Sequence, residues 1–249
     1  MEALITQVTQ QLAAIPDLPS GAPLARPTLD PSTTPIAHLI DHTIVKPEAV
    51  TAQIEQLCRE AAEHHFASVC ISPIFVPLCA QLLANTPVAI CTVVGFPSGA
   101  STTACKVFET QEALDHGARE IDMVLAIGRL KAGEWRETAH DLHAVIQASH
   151  AAGALVKVII ETALLTETEK VAACLLAVRT GADFVKTSTG FAGGGATVAD
   201  IRLMRQVVGP HIGVKASGGI RTLATAQALI EAGADRIGTS AGVAIVAEA

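Results

Sequence analysis

The sequence predicts an α/β protein, a (β/α)8 barrel of the TIM type with a short N-terminal helical extension. Three observations point there. Eight short β-branched runs alternate with amphipathic stretches from Ile36 onward. The runs are nearly continuous apolar segments, as strands are when both faces are covered. No G-x-G-x-x-G follows the first run, which disfavours an open dinucleotide-binding sheet, whereas one α/β barrel takes about 250 residues.

Residues 1–34 read as an extension and residues 35–249 as the barrel. Leu4, Ile5, Val8, Leu12 and Ile15 share one helical face. Pro16, Pro19, Pro23, Pro27, Pro31 and Pro35 follow at near-regular spacing and predict an extended linker. Its expected role is structural, as a plug or subunit contact. The eight predicted strands are His38–Ile44, Phe66–Ile71, Val88–Val94, Glu120–Ala126, Leu155–Ile160, Asp183–Ser188, His211–Ala216 and Asp235–Thr239. Pro47 marks a helix start. Thr166 and Glu169 have capping-box spacing, and Thr197 and Thr222 are placed to cap the helices after them. Gly117, Gly153, Gly181 and Gly233 each end a helix just before a strand. Gly181–Gly190 and Gly233–Gly242 agree at six of ten positions, so helix end, strand and exit loop recur in the sixth and eighth units.

Composition excludes several classes. Hydrophobic residues make up 50% and charged residues 16%, which excludes disorder. The net charge of −7, with 17 Lys and Arg spread along the chain, lacks the basic stripe of a nucleic-acid binder. The uncharged stretch from Phe66 to Cys105 is broken by prolines and glycines, so it predicts buried strands and a helix, not a membrane span. The N-terminus carries no secretory pattern. Six cysteines without a C-x-x-C pair read as reduced thiols of a cytoplasmic protein.

Barrel enzymes work at the C-terminal ends of their strands. Charged residues inside apolar runs therefore carry the information, because burying a charge is costly without a partner. Asp41, Asp122, Lys186 and Lys215 are such residues, and Lys157 and Glu161 mark the fifth strand. Lys186 and Lys215 lie on successive strands about 4.8 Å apart. At about 5 Å and an effective dielectric near 20, two ammonium groups repel by about 3 kcal/mol. That leaves one amine partly unprotonated near neutrality, able to attack a carbonyl and form a Schiff base. The residues alone leave open which lysine does so. Ser217-Gly218-Gly219 and Gly238-Thr239-Ser240 follow the seventh and eighth strands, where barrels hold phosphate on backbone N–H groups and a helix N-terminus. Thr187, Thr189 and Gly190 add hydroxyls and a turn after the sixth strand, and Cys70 and Thr43 end the second and first. His140 and His143 have a metal spacing, but Glu137 and Asp141 mark a solvated face. At this level a phosphate-binding aldolase, a transaldolase-like Schiff-base enzyme, a sugar-phosphate isomerase and a non-catalytic binding barrel all remain open.

Asp41-His-Thr43, Val69-Cys-Ile71, Thr92-Val-Val-Gly-Phe-Pro97, Glu120-Ile-Asp-Met-Val124, Lys157-Val-Ile-Ile-Glu-Thr162, Phe184-Val-Lys-Thr-Ser-Thr-Gly190 and Val214-Lys-Ala-Ser-Gly-Gly-Ile-Arg221 resemble, in order, the deoxyribose-phosphate aldolases. The resemblance implies a metal-free, cofactor-free barrel that reversibly cleaves 2-deoxy-D-ribose 5-phosphate to acetaldehyde and D-glyceraldehyde 3-phosphate. It implies Lys186 as the Schiff-base nucleophile, Lys215 as the cation that tunes it, Asp122 in proton transfer through water and Asp41 supporting Lys215. The expected partners are phosphorylated sugar and aldehyde substrates and further copies of the chain, as a dimer or tetramer. Two departures stand out. The chain has no tyrosine, whereas many members use one in a C-terminal tail. Phe191 stands where some members place a phosphate-contacting lysine.

Overall fold

The computed structural model describes residues 1–25, 30 and 33–249, so Pro27 and Pro31 of the expected linker lie outside the described residues. Eight parallel strands close into a barrel in sequence order. They are β1 (Ile40–Ile44), β2 (Ser68–Ile71), β3 (Ala89–Val94), β4 (Glu120–Val124), β5 (Leu155–Ile159), β6 (Phe184–Lys186), β7 (Gly213–Ser217) and β8 (Arg236–Thr239). The helices are α1 (Glu2–Ala13), α2 (Thr51–Glu63), α3 (Val76–Leu82), α4 (Thr103–Asp115), α5 (Ile127–Lys131), α6 (Trp135–Ala151), α7 (Glu167–Thr180), α8 (Val198–Val208), α9 (Leu223–Glu231) and α10 (Gly242–Ala247). Among the described residues, no helix is long and apolar enough to cross a membrane.

Every predicted strand forms, several of them shorter than the apolar run. Residues 36–39 make a 3-10 turn before β1. β6 stops at Lys186, although Thr187 N–H still donates to the Lys215 carbonyl. The apolar run measures burial, and burial continues past the strand into the loop, where Thr187 and Ser188 stay covered. Pro47 lies in the β1–α2 loop, and α2 opens at Thr51, where the Gln53 side chain accepts from Val50 N–H. The Thr166–Glu169 capping box forms, and Thr197 and Thr222 cap α8 and α9.

Alternation sorts the strand residues. Val69, Ile121, Met123, Val156, Val158, Val185, Val214 and Ile237 join the main apolar core with the helices. The intervening residues point inward, and charged side chains are frequent among them beside the branched aliphatics that usually fill a barrel. Beside a small cluster of Cys70, Cys91 and Val93, and Val124, Ile159 and Phe184, the interior carries Asp41, Glu120, Asp122, Lys157, Lys186 and Lys215, with Arg236 paired to Asp41.

The repeat between the sixth and eighth units has a structural meaning. Asp183 precedes β6, and its Oδ2 accepts from Val156 N–H of the neighbouring β5 at 2.7 Å. Asp235 precedes β8 and accepts from Val214 N–H of β7 at 2.7 Å. Each carboxylate also meets a basic group on the helix before that neighbouring strand, His150 of α6 for Asp183 and Arg205 of α8 for Asp235. Both aspartates therefore tie the N-terminal rim together.

The extension packs onto this rim. Val8, Leu12 and Leu18 are buried, with α1 against α7. Leu24 N–H donates to Asp183 Oδ1 at 2.7 Å and Gly21 N–H to the Arg179 carbonyl at 3.0 Å. Gly181 ends α7 with φ of +94°, and a Cβ there would lie 2.9 Å from the Ala22 nitrogen. Gly181→Ala therefore combines backbone strain with a backbone clash, each a cost of about 1–3 kcal/mol. Thermal denaturation should show a loss of at least about 4 °C, since about 1 kcal/mol moves a domain of this size by roughly 2–4 °C. An unchanged melting temperature would mean that the strap is loosely held.

Candidate active site

A cavity of about 660 Å³ opens at the C-terminal end of the barrel. A smaller one, of about 270 Å³, lies between residues 98–103 and 126–129 and contains none of the predicted site residues. The floor of the large cavity is Lys186, at the end of β6. Register sets Lys186 level with Lys215 on β7, and Asp122 on β4 level with Lys157 on β5.

The network below the floor turns on Asp122. Its Oδ2 accepts from Lys186 Nζ at 2.6 Å and from Lys215 Nζ at 2.7 Å, and its Oδ1 accepts from Lys157 Nζ at 2.9 Å. Lys215 also pairs with Asp41 at 2.5 Å. Arg236 bridges Asp41 at 2.7 Å and Glu120 at 2.9 Å, and Lys157 reaches Glu120 at 2.5 Å. The expected approach of Lys186 and Lys215 is present, with the Asp122 oxygen between their nitrogens. The bare ammonium pair is thus replaced by two cations sharing one anion.

Electrostatics follow from burial and partners. Burial pushes the Asp122 carboxyl up, but Lys157, Lys186 and Lys215 outweigh it and hold the group well below the usual carboxylate range. Burial likewise opposes ionisation of Asp41, and Arg236, Lys215 and Lys157 override it. Burial pushes Lys215 down, but Asp122 and Asp41 raise it well above the ordinary lysine value. Lys186 differs from the other two lysines in access: it is 4% exposed and lines the cavity, while Lys157 and Lys215 are 0% exposed.

The predicted binding residues divide. Thr43, Thr189, Gly190, Ser217, Gly218, Gly219, Thr239 and Ser240 all line the cavity. Cys70 and Thr187 lie outside its lining. The Cys70 thiol points at Asp122 Oδ2 from 3.8 Å, and a hydrogen bond with Cys91 pulls it down to about 7 against the effect of burial. Thr187 Oγ1 donates to the Ser217 carbonyl and accepts from Ser217 N–H, both at 3.0 Å, so it stitches β6 to β7. Thr239 spends its hydroxyl on Ile220 O and Ala241 N–H, which fixes the turn after β8. Gly218 and Gly219 have φ of +91° and +79°, and a Cβ on Gly219 would project into open space.

Sequence reasoning missed two cations. Lys46 and Arg221 both line the cavity, Arg221 two residues beyond Gly219. Arg221 closes the motif Ser217–Arg221, which offered the only signal. Glu161, at φ of +57°, accepts from Thr189 N–H at 3.0 Å and from the Thr189 hydroxyl, and so fixes the loop after β6. Phe191 lines the cavity with its ring edge-on to Phe96, centroids 5.3 Å apart. His140 is exposed and His143 faces the Thr180 carbonyl. Among the described residues, Cys70, Cys91 and Asp122 bring donor atoms within 4.8 Å, but the three lysines on Asp122 make that place cationic already. Five cysteines are buried free thiols, and Cys105 is exposed.

The low value of Asp122 has a signed consequence. An ionised carboxylate with a lowered folded value contributes stability above the ordinary carboxylate range and loses it as pH falls through that folded value. Asp122→Asn should cost about 3–5 kcal/mol at neutral pH by leaving buried lysines without their anion. In urea melts the deficit should shrink below about pH 4, near the unfolded aspartate value. A deficit independent of pH would contradict the assigned charge.

Comparison with known proteins adds kinship to this geometry. A family model described as DeoC/LacD family aldolase matches residues 36–248. The chain is 60% identical over 212 residues to a deoxyribose-phosphate aldolase of Halalkalibacterium halodurans, covering 85% of this chain and 94% of that protein. It is 59% identical over 214 residues to deoxyribose-phosphate aldolase 1 of Bacillus licheniformis, covering 86% and 96%. Its fold superposes with a TM-score of 0.81 on a deoxyribose phosphate aldolase from Aeropyrum pernix described as a unique tetramer, at 29% identity, covering 98% and 96%.

Proposed function

Because the chain belongs to the DeoC/LacD family of aldolases, we propose that it reversibly cleaves 2-deoxy-D-ribose 5-phosphate to acetaldehyde and D-glyceraldehyde 3-phosphate through a Schiff base on Lys186. One observation carries the choice of lysine: of the three lysines on Asp122, Lys186 alone reaches the cavity. Lys215 and Lys157 each hold two or more carboxylates, and Lys186 holds one.

The Lys186 amine adds to the C1 aldehyde of the open-chain sugar and water leaves. The iminium then serves as electron sink. The C3 hydroxyl gives up its proton, the C2–C3 bond breaks, and its electron pair moves into the enamine while glyceraldehyde 3-phosphate departs. Protonation at C2 and hydrolysis release acetaldehyde and restore the amine. Asp122, fixed in its charged form, is the counter-ion of the iminium. It does not line the cavity, so its part in proton transfer runs through water, with Lys215 beside it and Asp41 holding Lys215. Borohydride reduction with acetaldehyde should label the peptide containing Lys186. Label confined to Lys215, or none, would overturn the assignment; an isomerase forms no imine and gives none.

For the phosphate we propose the turns 217–219 and 238–240, which line the cavity and are glycine turns of the kind that hold anions on backbone N–H groups; the Ser217 N–H is already given to Thr187. Arg221 and Lys46 line the same cavity and supply charge that Phe191 does not. Arg221→Gln and Gly219→Val should each raise KM for the phosphorylated sugar about tenfold or more, the scale of one charge-assisted contact, with little effect on unphosphorylated deoxyribose. Equal effects on both sugars would place the phosphate elsewhere. We read the chain further as a cytoplasmic homo-oligomer. Its buried free thiols and the tetrameric A. pernix relative support that reading.

A further inference from the structure

Two members of the buried network have no part in the reaction as proposed. Glu120 on β4 and Lys157 on β5 are absent from the lining of the cavity that Lys186 reaches, yet both are buried and tightly paired. Lys157 Nζ lies 2.5 Å from Glu120, 2.9 Å from Asp122 and 3.6 Å from Asp41. Glu120 is held in addition by Arg236. The network holds three carboxylates, Asp41, Glu120 and Asp122, against four basic groups, Lys157, Lys186, Lys215 and Arg236. With all seven ionised it carries one excess positive charge. Among its lysines, Lys186 is the one with a single carboxylate partner and access to the cavity.

We infer that Glu120 and Lys157 are positioning residues that set the net charge of this network, and through it the pH at which the Lys186 amine becomes available for imine formation. The inference rests on Lys186 as the Schiff-base lysine. Buried charges act on each other at low effective dielectric and are little screened by salt, so a group that never touches substrate still acts on Lys186. Every other strand contributes to the surroundings of Lys186: Asp41 on β1, Cys70 on β2, Cys91 on β3, Glu120 and Asp122 on β4, Lys157 on β5, Lys215 on β7 and Arg236 on β8. Glu161, beyond β5, is occupied by Thr189. Of these, the Cys70 thiol titrates near neutrality and has to be controlled.

The test is the pH midpoint of borohydride-trapped acetaldehyde adduct on Lys186. Glu120→Gln raises the excess positive charge, so half-maximal trapping should move to lower pH. Lys157→Met removes the excess, so it should move to higher pH. Each shift should correspond to about a tenfold change in proton concentration, and Lys157→Met/Glu120→Gln should return towards the parent value. The same order should persist in a Cys70→Ser background. Shifts of the same sign, or reduced trapping with an unmoved midpoint, would show that both residues are merely structural and would overturn the inference. Should Lys157→Met fail to fold, the near-isosteric Glu120→Gln decides alone by the sign of its shift. Absence of adduct on Lys186 in the parent chain would instead remove the reading on which the inference rests.

Discussion

Asp122 spends both carboxylate oxygens on three lysines, none of them more than slightly exposed. Each of those ions has been taken out of water at a cost of several kcal/mol, and no single pair returns that cost. Each buried ion in the layer instead has partners on more than one strand or, for Lys186, an opening to the cavity. The consequence is geometric. Lys186 Nζ is held at the floor of the cavity by a carboxylate that is itself held from three sides, so the amine keeps its position without a rigid loop. A covalent catalyst needs this kind of support, because reacting atoms must be placed to within a fraction of an ångström.

The same layer explains how the barrel divides its labour. Outward-facing aliphatics of the strands pack against helices and supply the hydrophobic term. Inward-facing positions are thereby free to carry charge. At the opposite rim, Asp183 and Asp235 repeat one device, each tying its own unit to the preceding strand and helix. Asp183 also accepts from Leu24 N–H, so the N-terminal strap is anchored to the rim and not to the chemistry.

Much of this was legible in the sequence because burial of a charge in an apolar run is a rare event with few explanations. Asp41, Asp122, Lys186 and Lys215 were found that way, and the structure brings them together. Strand ends were less legible: hydrophobicity reports burial, and Thr187 and Ser188 are as buried as β6 itself. Cys70 and Thr187 show a second limit, since proximity to a strand end does not say whether a side chain faces the cavity or a neighbouring strand. Glu120 and Arg236 show a third limit. Each stands near the start of its strand, where a charge reads as an ordinary solvated boundary. Only the tilt of a closed barrel brings those residues beneath Asp41 and Lys157.

Lys46 and Arg221 belong to the same problem of non-local placement. They sit far apart in sequence, on loops after β1 and β7, and closure of the barrel through β8 makes those loops neighbours around one cavity. A phosphate needs positive charge near its oxygens, but the charge need not come from one particular loop, because an ammonium or guanidinium on a long side chain reaches the same volume from several anchor points. Phe191 contributes apolar surface, braced edge-on by Phe96. With cation side chains arriving from β1 and β7 and glycine turns from β7 and β8, the loop after β6 can carry an aromatic without depriving an anion of partners. With the phosphate placed as proposed, the departure at Phe191 reads as a relocation of charge around the mouth, away from the network beneath Lys186.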